Sequence, residues 1–502
     1  MIYPMLPLFV VGLAAGGAAE PVPLGVAKQL FLDDYLVASV ENVTRTIHPA
    51  VKYEGNPVLW PEEPWEGAVA LVYGSVLRDG DVFKMWYHNG QGVGYAESDD
   101  GLAWRRPELG LIPVEGHDTN TVILRNAEEG TANALPYFYE LFGVHQNRDE
   151  TRPDERYVMG YLSIDRKYQG PRQDPFHGGQ RRGLGVAVSA DGIHWKLADS
   201  WATEAICDGG THWTFDPSAK RYVLYGRTKH IAPGLKEAWG ADPWVDEYFW
   251  GRSVARAEST DFRQWDYVDP ATAPVVMTAD VEDTPGNEIY SMQVFPYGAV
   301  YIGLVQVFHN QEDACHLDIQ LAVSHDSVHF TRVGDRRPFI PCGGIGCWDR
   351  FNTSVANNPP ITVGDELRFY YSGRTYRHGP YAGPDKGESG GGIGFAAIQR
   401  DRFVSLDASF DGGVVETVPV RLEGPTLHLN AACAFGEILV EVLEPETHAV
   451  VAKSKPIRAD GLDVAVEWEE GGLSETKAGA VLRLTLRNAR LYALWCTDGA
   501  RP

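Results

Sequence analysis

Four acidic residues of this sequence stand just before, or at the start of, segments that predict β-strands. They are Glu66, Asp208, Glu288 and Asp349. When several carboxyl groups face one cleft, one can be held protonated to assist a leaving group while another stays ionised as base or nucleophile. Cleavage of a glycosidic bond requires this division of roles. The alternative is that each acid caps a strand or binds a neighbouring loop.

Aromatic and polar residues lie close to these acids in the chain. Flat aromatic faces can stack on sugar rings, and the candidate substrate-binding residues are Trp65, His212, Trp213, Tyr290, Trp348 and Arg350. The 14 tryptophans and 23 tyrosines are also typical of a core filled by aromatic side chains, and this reading applies to most of them.

Charge and missing motifs exclude several classes of protein. A formal net charge of −24 repels phosphate backbones and anionic headgroups, so we expect neither nucleic-acid nor membrane binding. A polyanionic substrate would need a local basic pocket. No nucleophile elbow, P-loop or dinucleotide fingerprint stands in a fitting context, and the six cysteines include no CxxC pair. We therefore expect a carbohydrate partner, no cofactor and no metal, with the oligomeric state left undetermined.

A repeated pattern organises most of the chain. An aromatic-rich strand, a strand of small residues and a Ser-x-Asp-Gly-x-x-Trp-like turn recur, and the turns end at Trp104, Trp195, Trp265, Phe330 and Phe403. These intervals suit a four-stranded blade with loop insertions, so the sequence predicts an all-β protein with a five-bladed β-propeller. Because an Asp in such a turn accepts backbone N–H groups, we expect these aspartates to be structural.

The propeller prediction brings the four acids together. The innermost strand of each blade is predicted at residues 67–76, 134–143, 211–215, 289–295 and 352–356. The starts of such strands converge on the mouth of the central channel, where acidic side chains would share one funnel.

Three segments differ in character. Residues 1–19 predict a signal peptide, residues 20–410 the propeller, and residues 411–502 a small antiparallel β-sandwich. We therefore expect an exported protein, secreted or periplasmic. In an oxidising compartment, Cys342 and Cys347 are placed to close a small disulfide loop.

The repeats, their turns and the phrase Asn-Pro-Val-Leu at 56–59 resemble the five-bladed propeller glycoside hydrolases of families 32, 43, 62 and 68. The C-terminal sandwich is similar to the family 32 arrangement. The resemblance implies a hydrolase of plant or algal poly- or oligosaccharides, furanosides among them. It rests on fold-level motifs, which indicate the substrate only weakly.

That group uses three acids: a nucleophile or base on the first blade, a transition-state stabiliser and a glutamate as general acid. The resemblance makes Glu66 the candidate for the first role and Glu288 for the acid, with Asp208 and Asp349 competing for the stabiliser. The chain lacks the Trp-x-Asn-Asp-Pro-Asn-Gly and Arg-Asp-Pro motifs, so it is no orthodox fructosidase.

Two alternatives remain open. A glycoside phosphorylase of the family 130 type would use one acid and a basic phosphate pocket, for which Arg350, Arg374 and Arg377 are candidates. A lectin-like propeller would bind glycans without cleaving them and would tolerate carboxylate-to-amide changes.

Overall fold

The fold is all-β, as the sequence predicts. A computed structural model describes residues 20–128, 130–170, 179–204, 208–266, 274–379, 390–473 and 479–498. The predicted signal peptide, residues 1–19, lies outside the described residues. The described helices are short: α1 is Leu235–Trp239, α2 is Pro243–Tyr248, and a 3₁₀ turn spans Pro153–Glu155. No described helix has the length and apolarity needed to cross a bilayer.

The first three sheets are antiparallel and follow the chain in simple up-and-down order. We call each such run of consecutive strands a unit. Unit 1 contains β6 (Leu71–Asp79), β7 (Val82–His88), β8 (Gly92–Ser98) and β9 (Thr121–Leu124). Unit 2 contains β10 (Phe138–Gln146), β11 (Tyr157–Asp165), β12 (Arg181–Ser189) and β13 (Lys196–Thr203). Unit 3 contains β14 (His212–Asp216), β15 (Arg221–Lys229), β16 (Arg252–Ser259) and β17 (Val275–Met277).

Two further runs of strands are joined into one sheet by a parallel contact between Leu317 and Asn352. Unit 4 contains β18 (Asn287–Tyr297), β19 (Val300–His309), β20 (His316–Ser324) and β21 (Thr331–Arg332). Unit 5 contains β22 (Asn352–Val355), β23 (Ile361–Val363), β24 (Glu366–Arg374), β25 (Gly391–Gln399) and, from the other end of the chain, β5 (Val51–Lys52). An N-terminal strand therefore completes the last unit.

Each unit is covered on both faces, which explains its aromatic-rich second strand. In β7, Trp86 packs with Tyr157 of unit 2, whereas its neighbour Tyr87 packs in a cluster with Tyr370 of unit 5. A strand that is buried on both faces reads as a continuous apolar run rather than as an alternating one.

The five inner strands β6, β10, β14, β18 and β22 overlap the segments predicted for them. The far ends of these strands meet at one shared cavity. Its lining includes one residue from, or just after, each strand in turn: Arg78, His145, Phe215, Pro296 and Pro359. The opposite ends of these strands, where they begin, carry the candidate site.

The turns behave as the sequence predicts. Oδ1 of Asp100 accepts the backbone N–H groups of residues 102 and 103 at 2.7 and 3.0 Å, and Asp191, Asp261 and Asp326 repeat the arrangement. The next residue has positive φ, even where it is Phe262 at 65°. These aspartates hold turns, which confirms their structural role.

The C-terminal region forms two six-stranded sheets and draws in the N-terminus. One sheet contains β2 (Gln29–Leu30), β4 (Thr44–Ile47), β26 (Val404–Ala408), β29 (Thr426–Ala432), β32 (Asp460–Ala465) and β35 (Ala489–Thr497). The other contains β3 (Val37–Glu41), β27 (Gly413–Thr417), β30 (Glu437–Leu443), β31 (Val450–Ser454), β33 (Trp468–Glu470) and β34 (Val481–Arg487). A parallel pair, β1 (Val22–Leu24) with β28 (Val420–Leu422), lies beside them.

Both six-stranded sheets contribute to one buried apolar cluster, with Leu429 and Leu491 from the first and Val440 and Leu484 from the second. The strands at residues 29–47 therefore belong with the C-terminal sheets by pairing, which the sequence pattern does not predict. Cys342 and Cys347, placed by the sequence for a disulfide, are free thiols in the structure.

Candidate active site

One polar side chain from each unit meets where the inner strands begin. We call this set the mouth cluster: Tyr73 of β6, Glu140 of β10, Arg227 of β15, Tyr290 of β18 and Arg374 of β24. Tyr73 interacts electrostatically with all four other members of the cluster. Burial, together with the Tyr290 phenol, raises the pKa of the Tyr73 phenol. The Arg227 guanidinium lies 3.8 Å from the centre of the Tyr290 ring, and that of Arg374 lies 5.5 Å from the Tyr73 ring.

Glu140 is the carboxylic acid of the mouth cluster. Its half-buried carboxyl group forms no hydrogen bond with any described residue and packs against Gly209, where an added Cβ would lie 3.0 Å from Oε1. Burial, reinforced by the nearby charge of Asp208, raises its pKa to about 7, although Arg374, Arg227 and Arg125 act in the opposite direction. A carboxyl group in this state can donate a proton near neutral pH.

Asp208 has the opposite environment. Its Oδ2 accepts a hydrogen bond from Nη1 of Arg227 at 2.7 Å, and Nη1 of Arg182 lies 3.3 Å from its Oδ1. Arg227 is fixed in turn, because its Nη2 donates to the carbonyl groups of Gly209 and Tyr290 at 2.6 and 2.8 Å. Two guanidinium groups around one carboxylate favour its charged form. The site thus contains two carboxyl groups whose surroundings push them toward different protonation states.

The cations of the site are arginines rather than histidines. Burial, with Arg125 next, lowers the pKa of His88 to about 3, and burial with Arg374 lowers that of His378 well below its usual value. Both imidazoles are therefore neutral at physiological pH, and Nε2 of His88 accepts from the Arg125 guanidinium at 2.7 Å. His378 packs edge-on against Tyr290, with 4.9 Å between ring centres.

Two of the predicted acids are fully engaged elsewhere. The buried Glu66 accepts from the Tyr87 hydroxyl, from Nε of Arg106 at 2.9 Å and from two backbone N–H groups at 2.9 and 3.1 Å. The buried Glu288 is ion-paired with Arg252 and accepts from the backbone of Trp250 and Gly251. The roles predicted for them as nucleophile and acid stay predictions, but their contacts are those of structural ion pairs.

Asp349 lies beneath the outer part of unit 5. It is buried, and its Oδ2 accepts from Nζ of Lys52 at 2.5 Å and from the Tyr371 hydroxyl at 2.8 Å. Because Lys52 lies on the outermost strand of unit 5, this carboxylate fastens the N-terminal strand to the unit. The Trp348 ring stacks on Tyr371 at 5.5 Å beside the same contact.

The predicted substrate-binding residues divide between site and core. Tyr290 belongs to the mouth cluster, whereas Trp213 is buried in the apolar core shared by units 2 and 3. Burial lowers the pKa of His212 to about 4, next to that core. Trp65 donates to Oδ1 of Asn120 at 3.0 Å, and Arg350 stacks on Phe351 with 4.6 Å to the ring centre.

Sequence reasoning missed Tyr73, Glu140 and Arg227 and identified Arg374 only as a possible phosphate ligand. Glu140 falls inside the inner strand predicted at residues 134–143, whereas the four predicted acids stand before, or at the start of, such strands. Arg227 comes from a second strand, because the end of that strand also reaches the mouth. A search for polar residues near the mouth end of both strands of each hairpin would have found all three.

Comparisons with known proteins give structural likeness without sequence likeness. No family model matches the sequence, and no curated protein does. One solved structure to which the chain is similar is a glycoside hydrolase, at 16% identity and a TM-score of 0.42; the match covers 70% of this chain and 92% of that chain. A second is a putative glycoside hydrolase from Bacteroides ovatus, at 13% identity and a TM-score of 0.45; the match covers 71% of this chain and 98% of that chain. A third is from family 130, described as mannoside phosphorylases that include glycoside hydrolases targeting β-1,2 mannosidic linkages in Candida mannan. Its identity is 14% and its TM-score 0.43, and the match covers 70% of this chain and 94% of that chain.

Proposed function

We propose that the protein is a glycoside hydrolase whose reaction takes place at the mouth cluster. Glu140 acts as the general acid that protonates the leaving oxygen, and Asp208 is the ionised carboxylate that activates the attacking group. The expectation of an exported enzyme acting on plant or algal glycans rests on the sequence alone.

The observation that carries this proposal is the contrast between the two carboxyl groups. Glu140 has a pKa raised to about 7 and no hydrogen bond within the described chain, whereas Asp208 lies between two guanidinium groups. Pairs of titratable groups that are pushed apart in this way identify acid and base in glycosidases. Glu66 and Glu288 lack this contrast, because each carboxylate already accepts hydrogen bonds from an arginine and two backbone N–H groups.

We further propose that units 1 to 5 are the blades of a five-bladed propeller and that the two six-stranded sheets form a sandwich. The cavity lined from the ends of all five inner strands supports the ring, and the apolar cluster shared by the two sheets supports the sandwich. In such a ring the mouth cluster sits at the entrance of the central channel.

The test is turnover of a glycan panel by the purified protein, with products separated by chromatography. Glu140→Gln should lower kcat/KM by roughly 10²-fold or more, since an amide cannot donate the proton. Glu128→Gln, an exposed carboxylate that follows β9, is the matched control and should leave it unchanged. A loss below tenfold in Glu140→Gln would remove Glu140 from the mechanism. Glycan binding without turnover in the wild type would favour the lectin-like alternative.

A second function, phosphorolysis, is favoured by the state of Arg374. Its Nε is buried, and its guanidinium group forms no ion pair or hydrogen bond with another described residue. The guanidinium group lies over the rings of Tyr73 and Tyr376. These contacts leave its N–H groups available to an anion, so a bound phosphate would stabilise it. The other two predicted phosphate ligands, Arg350 and Arg377, both stack on Phe351.

Phosphate dependence separates the two functions. Turnover that needs inorganic phosphate and is lost in Arg374→Met would establish a phosphorylase. Turnover in phosphate-free buffer, with free sugar as the product, would establish a hydrolase.

A further inference from the structure

A second cluster of chemically active side chains lies on unit 4, outside the mouth cluster. His309 ends β19 and pairs directly with His316, which begins β20. Asp318 follows two residues later on the same strand, so its side chain projects from the same face as both imidazoles. One face of a single hairpin therefore presents two imidazoles and a carboxylate.

These groups are close enough to bind one ion. Candidate ligand atoms of the three residues all lie within 4.8 Å of one another. Nε2 of His309 is 3.0 Å from Oδ2 of Asp318, and the two imidazole rings stack at 4.3 Å with 10° between their planes. Both histidines are partly exposed, so an ion can reach them from solvent, whereas Asp318 is buried.

One observation shows that the cluster is incomplete as a protein-only arrangement. Oδ1 of Asp318 is buried and has no hydrogen-bond partner among the described residues. An orphaned carboxylate oxygen costs free energy unless something fills its position.

We propose that His309, His316 and Asp318 bind a divalent first-row transition-metal ion, with zinc as the best match to their donor atoms. Imidazole nitrogen and carboxylate oxygen are common zinc ligands, and three protein ligands leave a position for water. The rings would turn about their side-chain bonds to point one nitrogen each at the ion. The sequence predicted no metal site because the two histidines are brought together only by the pairing of the strands.

The hairpin connects this site to the mouth cluster. The carbonyl group of Cys315, the residue before His316, accepts the backbone N–H of His378 at 2.8 Å. An ion that fixes the end of the hairpin would therefore also fix the position of His378 beside Tyr290.

Metal analysis of the full chain tests this proposal independently of turnover. The protein is stripped with EDTA, dialysed against Zn²⁺ and measured by plasma mass spectrometry, with far-UV circular dichroism as the check on folding. Wild type should bind one zinc ion, and His316→Ala and Asp318→Asn should bind at least about tenfold more weakly. His329→Ala replaces an exposed histidine in the turn after β20. It is the matched control and should bind like wild type.

A second readout needs no variant. Co²⁺ added to the stripped wild type should give visible absorption bands that Zn²⁺ removes. Absence of these bands, no zinc bound by wild type, or unchanged zinc binding in a folded His316→Ala would each overturn the proposal.

Discussion

Replacing Glu140 with Gln should stabilise the protein at alkaline pH. The folded state raises the pKa of this carboxyl group from its ordinary 4.5 to about 7, chiefly by burial. The folded chain therefore holds the proton more tightly than the unfolded chain, and stability falls as pH rises from 4.5 to 7. Above pH 7 the whole penalty is present, and below 4.5 it is absent.

The size of the effect follows from the pKa difference. At 1.36 kcal/mol per pH unit, the shift from 4.5 to about 7 corresponds to roughly 3 kcal/mol of stability lost at pH 8. Gln has nearly the same shape and carries no charge at any pH, so it removes the penalty without opening a cavity. Loss of stability of this kind is a common cost of the groups that carry function.

Urea unfolding at pH 4, 6 and 8 measures the difference, with Glu128→Gln as the control. The free energy of unfolding of Glu140→Gln should exceed that of wild type by roughly 3 kcal/mol at pH 8 and match it at pH 4. A gap that stays constant across this pH range, or a variant less stable than wild type at pH 8, would refute the reasoning.

Three further changes probe the structural groups. Arg252→Met leaves the buried Glu288 without its cation and should cost about 3–5 kcal/mol in urea unfolding; a cost below 1 kcal/mol would argue against a tight pair. Trp213→Ala empties a core position between units 2 and 3 and should cost about 3–5 kcal/mol, with KM for a glycan substrate unchanged while the variant is folded. Asp326→Ala frees two backbone N–H groups of an exposed turn and should lower stability by about 1 kcal/mol without changing kcat.

The repeated strands and turns could be predicted because their chemistry is local. An Asp that accepts the N–H groups two and three residues ahead needs no distant partner. The sequence therefore predicts the turn-forming role of Asp100 and Asp191 correctly. The inner strands were located for the same reason. In contrast, the pairing of β2 and β4 with C-terminal strands depends on residues hundreds of positions away, and no local pattern records it.

The candidate site is harder to predict from the sequence. The acid that stands out in the structure is the one whose carboxyl group has no hydrogen-bond or ion-pair partner among the described residues. Glu66 and Glu288 stand at promising places in the chain, yet each meets an arginine from another strand or loop, Arg106 and Arg252. No local pattern marks Glu140 in the sequence. It becomes distinctive because the fold leaves its carboxyl group half-buried, with no hydrogen bond to any described residue. Partner choice is a property of the assembled units, so the sequence alone does not reveal it.

The pairing of the two ends of the chain has a consequence for how the protein folds. Gln29 pairs with Leu494, and β5 completes unit 5 through Lys52 and Ala396. The β5 pairing cannot form before residue 396 has been synthesised, and the Gln29 pairing cannot form before residue 494. Both strands must therefore wait while units 1 to 4 form from nearer contacts. The entropic free-energy cost of closing a loop grows slowly, by roughly 0.6 kcal/mol for each doubling of its length. Contacts between residues far apart in the sequence nevertheless slow folding. Pairing of β2 with β35 should therefore be a late step. A chain cut before Ala489 would leave β2, β26 and β29 without this partner strand, with edges open to aggregation.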